Sequence, residues 1–456
     1  MLKFKLPYTS DSASLFARIA HLPWAVFLDS GQPSSQYGRY DVMAAKPFIT
    51  ITTQGATTEI WQRDGITHND GDPFELLKQA LKPYATTQNT LIFEGGAIGY
   101  FGYDLARRVE RLPETATDTE HIPDMMVGIY DWALVVDHRE KTASLISHGF
   151  DTQTQQDWPS LLALFESAQV AIPHASFDVH AEVTSNMSLA NYESAFNRIK
   201  RYIVEGDCYQ VNLAQRFSAP ATGDAWQAYL QLRKISPAPF MAYMNLPHLQ
   251  VLSASPERFL QVVGNHVETR PIKGTRPRAD DVTQDADNAK ELKSSLKDRA
   301  ENLMIVDLLR NDISKSCTHV RADRLFALES FANVHHLVST VTGKLAPHMT
   351  SIDLLRGCFP GGSITGAPKL RAMQIIEELE PNRRGLYCGA IGYIGFDGNM
   401  DTNITIRTAI YNNNEIRFYA GGGIVADSEM QKEYRETWDK ASSMLSLVQF
   451  FLNPSK

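Results

Sequence analysis

No run of apolar residues in the 456-residue chain approaches the roughly 18 that a membrane-spanning helix needs. The opening stretch, "MLKFKLPYTSDSASLF", has two lysines but no apolar segment behind them, so it does not read as a secretory leader. Cysteine is scarce. The four residues, Cys208, Cys317, Cys358 and Cys388, are far apart and never in C-x-x-C spacing, which argues against a zinc site or a disulfide framework. A reduced, cytoplasmic protein is the expectation. An excess of positive charge is also missing. The net charge is −8, without the basic footprint that nucleic-acid binding requires. A locally cationic cleft can still gather a small anion on such a protein. Internal repeats and low-complexity tracts are absent as well.

What is present is ordinary in bulk, with 43% hydrophobic and 21% charged residues, enough for two or three domains. Residues 1–175 alternate strand-like runs ("WAVFLDSG", "FITITT", "LIFEGGAIGYFGYDL", "MMVGIYDWALVVDH") with helical candidates "SASLFARIAHL" and "DPFELLKQALKPY". A polar stretch without apolar period, near 171–187, marks a boundary. Region 186–452 opens with a helix carrying Tyr192, Phe196, Ile199 and Ile203, closed by Gly206. "CYQVNLAQRFSA" alternates like a strand. "LQVLSASPERFLQVV" and "HVETRPIKGT" read as two more, joined by "GN". The spacing of Leu292, Leu296, Ala300, Leu303 and Val306 predicts one buried helical stripe over about 284–313. "GYIGFDGNMDTNITIRTAIYNNNEIRFYAGGGIV" reads as an antiparallel meander, and a last helix spans about 428–451. Strands and helices without strict alternation predict an α+β fold, an antiparallel β-sandwich core flanked by helices.

Several stretches can carry chemistry, and each has an ordinary explanation beside it. "FPGGSITGAPKLRAMQIIEEL" is a glycine-rich loop entering a helix, with Pro368 suited to its first position. It is an anion cradle or simply a tight turn. Ala367 stands where a Walker A lysine belongs, which disfavours a kinase or ATPase. Gly421, Gly422 and Gly423 follow a strand, as a backbone approach for a ligand or a bulge. Arg407, on the strand face opposite Ile404 and Ile406, can fork onto a carboxylate or sit in solvent. Glu436 and Lys440 have the spacing of a helical ion pair. With Glu301 from another helix, Glu436 can also hold a hard cation. His336 beside His335 can pack or catalyse, and Glu257 in "SPERF" is a carboxylate in strand context. Lys273 in "RPIKGTRPR" can be a surface charge, an anion clamp or a nucleophile.

In order along the chain come "SPERF", "RPIKGTRPR", "KDRAENLMIVDLLRND", "VHHLVSTV", "PGGSITGAPKLRAM", "GYIGFDGNMDTNITIRT", "AGGGIVADS" and "YRETWDKA". This series resembles the chorismate-binding family, which includes the anthranilate, aminodeoxychorismate, isochorismate and salicylate synthases. The likeness runs from about 188 to 450, with a weaker one before it. It implies an anthranilate synthase component I-like fold with its cleft in the C-terminal part. It implies Mg²⁺ held by Glu301 and Glu436, gripping the ring carboxylate of chorismate. Tyr387, Arg407 and the amides around Gly421, Gly422 and Gly423 would hold the enolpyruvyl carboxylate, and Lys440 would add positive charge. Glu257 matches the family's general acid, and His336 and Thr275 lie beside the ring.

Two positions separate the branches. Gln210 stands where the water-adding members have a lysine, so ammonia is the expected nucleophile. "PIKGT" is similar to the aminodeoxychorismate branch with a nucleophilic lysine, where other branches show alanine. Lys273 would attack ring carbon 2, Glu257 would protonate the leaving 4-hydroxyl, and ammonia would then displace the lysine at carbon 4. An ordinary lysine needs about 4–5 kcal/mol to be neutral at pH 7, so a largely buried Lys273 is expected. No amidotransferase signature accompanies this, so the resemblance implies a separate glutamine amidotransferase subunit supplying ammonia. Ser30 in "VFLDSG" resembles the serine of the family's tryptophan pocket, with Asp29 in place of the usual glutamate, which leaves open a tryptophan pocket or an empty remnant of one. The rivals are an anthranilate synthase, which Lys273 disfavours, and a non-catalytic amino-acid-binding protein, which the retained Glu301 and Glu436 disfavour.

Overall fold

Two large antiparallel sheets lie face to face in the computed structural model, which describes residues 1–31, 38–87, 91–167, 175–330 and 334–452. The first has strands in the order Leu2–Leu6, Thr142–Ser147, Trp132–Asp137, Tyr40–Ala44, Ala25–Asp29, Phe240–Leu246, Leu249–Ser255, Thr408–Asn412, Glu415–Ile424, Gln210–Gly223 and Phe177–Val179. The second runs Ile272–Pro277, Val334–Leu345, His266–Thr269, Arg258–Val263, Met400–Asn403, Ala390–Gly395, Gly96–Phe101, Met125–Tyr130, Ile49–Gln54, Thr57–Gln62 and Gly65–Asn69. Their facing sides share one apolar layer, with Val26, Val135, Met244 and Val251 from the first sheet against Ile98, Tyr100, Met126 and Ile391 from the second. Helices Pro73–Leu81, Leu296–Ser314 and Ser351–Cys358 cover the outside of the second sheet, while Ala225–Ile235 and Met430–Leu452 cover the first. This is the expected α+β sandwich.

Each sheet takes strands from both sides of the polar stretch near 171–187. Phe240–Leu246 pairs with Ala25–Asp29, and Ala390–Gly395 pairs with Gly96–Phe101. Residues 171–174 of that stretch lie outside the described residues. Beyond them, Phe177–Val179 and Thr184–Ser185 pair with Gln210–Gly223, so the stretch holds short strands as well as turns. Period-2 alternation is weak there, which hid them.

Three features differ from the sequence reading and bear on the site. The region 284–313 is two helices, Val282–Ser294 and Leu296–Ser314, because Ser295 is extended and caps the second through Asp298 N–H. The stripe rotates as a result: Leu296 and Leu303 are 81% and 45% exposed, while Asn302, Ile305, Val306 and Leu309 are buried. "HVETRPIKGT" is likewise two strands, broken at Arg270–Pro271 because proline lacks the donor a continuous ladder needs. The meander from 390 to 424 is divided between the sheets. Ala390–Gly395 and Met400–Asn403 belong to the second, Thr408–Asn412 and Glu415–Ile424 to the first, and residues 404–407 cross between them.

Shared sheets make the C-terminal region dependent on the N-terminal one. Residues 186–452 produced alone would bare the long edges at Phe240–Leu246 and Ala390–Gly395. Size-exclusion chromatography is expected to show aggregation of that fragment. A monomeric fragment with a cooperative melt would contradict this.

Candidate active site

The chain passes between sheets twice at one place. One crossing is Pro256–Glu257, between Leu249–Ser255 and Arg258–Val263; the other is 404–407. They are tied together by Ile404 N–H to Glu257 O (3.0 Å) and Ala254 N–H to Arg407 O (2.9 Å). Neither crossing follows a pleat, so side chains there can converge instead of alternating. Arg407 is therefore not on a strand, as its sequence suggested. It sits in a bend at φ +49°, a left-handed conformation that is uncommon for a residue with a side chain.

Lys273 owes its direction to a third irregularity. Ile272 pairs with Val338 and Thr275 with His336, leaving one extra residue at Lys273–Gly274. Such a bulge re-aims a side chain. Gly274 is required there, with φ +81° and a Cβ that would lie 2.7 Å from Leu292 Cδ1. The Lys273 amine donates to Ser363 O at 3.1 Å. Burial lowers its pKa, with help from Lys440 and against Glu257, Glu301 and Glu436. The residue is half-buried, less enclosed than the largely buried position the sequence led us to expect.

Glu257 is buried, and burial raises its pKa against the pull of Lys273, the Ile272 amide and the Ser363 hydroxyl, whose oxygen is 3.4 Å from Oε1. His336 is buried with Nδ1 2.9 Å from the exposed Thr275 hydroxyl. Burial and the Arg407 charge push it down to about 4, so the imidazole is neutral at pH 7. Burial also lowers Arg407, and Glu257 is the anion acting on it. Among the described residues, no carboxylate comes within ion-pair distance of Arg407. A desolvated guanidinium in that position is suited to an anionic ligand. Tyr387 lies beside the second crossing through Cys388 N–H to Thr405 O (2.9 Å) and Thr405 N–H to Gly389 O (3.0 Å). Its ring stacks on Tyr419 at 5.3 Å.

Gly421, Gly422 and Gly423 fall inside the strand Glu415–Ile424 rather than after it, opposite Ala214, Leu213 and Asn212. Close approach explains them: a Cβ on Gly423 would lie 2.1 Å from Gln210 Nε2, and one on Gly422 3.0 Å from Glu433 Oε2. Gln210 is buried with no hydrogen-bond partner for Oε1, a polar group waiting for a ligand or water. The glycine-rich loop is not an open anion cradle. Gly366–Ala367 pairs with Gln210–Val211, and Pro368 is the N-cap of Lys369–Leu379 rather than its first residue.

Glu301 and Glu436 come from different helices and act electrostatically on one another and on Lys273. Burial raises Glu301, against Lys273 and Lys297. Burial alone would raise Glu436 too, but Lys440 at 2.6 Å brings it below its ordinary value. Lys440 also donates to Gly421 O at 3.1 Å. Among the described residues no three His, Cys, Asp or Glu side chains surround one point. Two carboxylates that act on one another and on Lys273 suit a hard cation that keeps water and takes substrate oxygens.

With that geometry in view, the chain can be compared with known proteins. Residues 25–446 match the family described as chorismate binding enzyme. The chain belongs to the chorismate-binding enzyme family. Aminodeoxychorismate synthase component 1 of Escherichia coli K12 is 48% identical, covering 97% of this chain and 98% of the relative. Its Bacillus subtilis 168 counterpart is 36% identical, covering 96% and 95%. The crystal structure of anthranilate synthase component I from Streptococcus pneumoniae TIGR4 superposes with a TM-score of 0.76 at 33% identity, covering 90% and 93%.

Two residues of this family member escaped the sequence reading. Ser363 touches both Lys273 and Glu257. Glu433, buried on the same helix face as Glu436, lies under Gly422 and accepts from Ser428. Its spacing of three from Glu436 was the available signal. Ser30 is elsewhere, with its N–H and Oγ both given to Asp41, at 2.8 and 2.7 Å. Asp29 is held by Arg233 and Tyr229, at 2.6 and 2.9 Å.

The lowered His336 value fixes the sign of a pH effect. Its folded pKa lies below the ordinary 6.5, so the unfolded chain binds that proton more readily. Its contribution to stability is complete above pH 6.5 and fades as pH falls toward about 4. Ring-nitrogen NMR is expected to show His336 neutral at pH 6. A midpoint at 6.5 or higher would contradict the burial argument.

Proposed function

We propose that this chain converts chorismate and ammonia to 4-amino-4-deoxychorismate through an adduct on Lys273. The observation that carries the reading is a pair of groups shifted toward each other's role. Burial lowers the amine of Lys273 and raises the carboxyl of Glu257. The neutral amine can attack, and the protonated acid can give a proton to a leaving hydroxyl. Lys273 is the residue that an anthranilate synthase reading leaves without a task.

Arg407, with Tyr387 and the backbone at Gly421–Gly423, would orient the enolpyruvyl carboxylate, and neutral His336 would border the ring with Thr275. The Nζ lone pair forms a bond to ring carbon 2. The ring double bonds shift, and the carbon 4–oxygen bond breaks as Glu257 donates its proton, releasing water. Nζ then returns a proton to the Glu257 carboxylate. Ammonia bonds to carbon 4, the double bonds shift back, and the lysine leaves carbon 2 as its neutral amine with the proton that Glu257 gives back; Glu257 then recovers one from the new carbon 4 ammonium. Gln210 cannot take a proton from water near neutral pH, so hydroxyl addition is suppressed. Glu301 and Glu436 would hold Mg²⁺, which when bound supplies positive charge for the ring carboxylate.

Ammonia requires a source. Among this chain's thiols, Cys317 and Cys388 are pushed up to about 11 and about 12 by burial, and Cys208 and Cys358 are buried and raised as well. None is poised as a glutaminase nucleophile. A separate glutamine amidotransferase subunit fits, and the "component 1" of the relatives' names is consistent with it. No helix among the described residues is long and apolar enough to cross a membrane, which suits a cytoplasmic site of action. Near Ser30, a pocket of about 240 Å³ lined by Asp29, Tyr40, Phe240, Met241 and Tyr393 is offered as the tryptophan pocket. Ser30 would support it through Asp41 rather than touch the ligand.

Chorismate and Mg²⁺ without ammonia are expected to add the mass of chorismate minus water to the peptide carrying Lys273, with EDTA suppressing the gain. Lys273→Ala should lose ammonium-driven synthesis by at least about a hundredfold, and the intact chain should not turn over glutamine alone. An unmodified peptide together with a fully active Lys273→Ala would overturn the reading.

A further inference from the structure

Lys273 and Glu257 are mutual electrostatic partners, yet they form no ion pair within 4.0 Å. Left to themselves, a half-buried amine and a buried acid close on one another, and the transfer of one proton gives an ammonium–carboxylate pair. That pair would lack both the nucleophile and the acid. Ser363 touches both partners. Its carbonyl accepts from Nζ at 3.1 Å, and its hydroxyl donates to Glu257 Oε1 at 3.4 Å.

Ser363 is buried and cannot drift. It is the middle residue of the 3₁₀ turn Gly362–Ile364. On one side a Cβ on Gly362 would lie 2.4 Å from Leu308 Cδ2, so the turn is pressed against the helix that carries Glu301. On the other, Ile364 O accepts from the buried Arg384 Nη1 at 3.1 Å.

We propose that Ser363 is a positioning residue that keeps the amine and the acid apart, each hydrogen-bonded to it rather than to the other. A carbonyl accepts an N–H from a neutral amine, though more weakly than from an ammonium, so this contact does not demand the charged form as a carboxylate would. With one N–H committed to Ser363, the lone pair points elsewhere, toward the cleft. The hydroxyl steadies one carboxyl oxygen and leaves the second to carry the acidic proton. The inference rests on the function proposed above. The charged groups acting on Glu257 are Lys273, Lys440 and Arg407, and none of them is altered by substituting Ser363.

The test uses the full chain with chorismate, Mg²⁺ and ammonium. Ser363→Ala is expected to lower kcat roughly ten- to a hundredfold, with KM for chorismate within about threefold, because the lost contact does not bind substrate. Without the hydroxyl the carboxyl can close on the Lys273 amine, and ion pairing lowers the Glu257 pKa, so the alkaline limb of the kcat profile should move down. Ser363→Thr keeps the hydroxyl and should restore both rate and profile. Wild-type rate and profile in Ser363→Ala would overturn the proposal, as would a Thr variant no better than Ala at equal thermal midpoints. Lys273→Ala in parallel separates the levels: if it is inactive while Ser363→Ala is normal, only the spacing role fails. If it is fully active, the function beneath it fails.

Discussion

Taking an ammonium out of water is unfavourable, and the site is organised around that fact. Lys273 leaves the sheet at a bulge, is half-buried, and meets a neutral carbonyl before any carboxylate. Burial favours the uncharged amine, while Glu257, Glu301 and Glu436 favour the ammonium. The direction is set by desolvation, so anything that admits water to the cleft or closes Glu257 onto the amine would remove the nucleophile proposed above. The same desolvation raises the Glu257 carboxyl above its ordinary value and keeps His336 neutral at pH 7. One desolvated wall therefore shifts three groups in the directions that the proposed reaction calls for, the amine and the imidazole toward neutral and the carboxyl toward its acid form.

The sandwich makes that wall by passing the chain between its sheets. The crossings at Pro256–Glu257 and 404–407 are bound to each other through backbone contacts. They place an acid and an arginine where pleat alternation cannot send them outward. The helices Leu296–Ser314 and Met430–Leu452 then bring Glu301, Glu433, Glu436 and Lys440 from outside the sheets, and Gly422 lets the last helix come close to the strand Glu415–Ile424, while Gly421 and Gly423 make room for Ala214 and Gln210. The N-terminal region completes both sheets and so takes part in holding the cleft, although it contributes none of these side chains.

Much of this could be read in the sequence where local pattern and tertiary role agree. Strands such as Ala25–Asp29 and Ile49–Gln54 and the helix Leu189–Val204 follow their apolar periods. The misses share one cause, which is that the deciding contact is distant in the chain. Arg407 alternates correctly with Ile404 and Ile406 on paper, but the chain is changing sheets there, so its period carries no information. Leu296 and Leu303 have core spacing, but the break at Ser295 turns the helix and buries Asn302 and Ile305 instead. Ser363 looked like part of an anion-binding turn because its partners, Lys273 and Glu257, are 90 and 106 residues away. Lys273 itself was legible through its neighbours in "PIKGT", and the bulge that aims it was not.

The central claim concerns one proton on one nitrogen, and the pH dependence of Lys273 acylation by a small neutral reagent, followed by peptide mass spectrometry, measures it most directly. The labelling midpoint is expected below the ordinary lysine value of 10.5, and below that of exposed lysines in the same digest. A midpoint at or above 10.5 would mean that the neighbouring carboxylates, and not burial, control this amine. Lys273 would then be an ammonium at neutral pH, and desolvation could not be what readies it for attack.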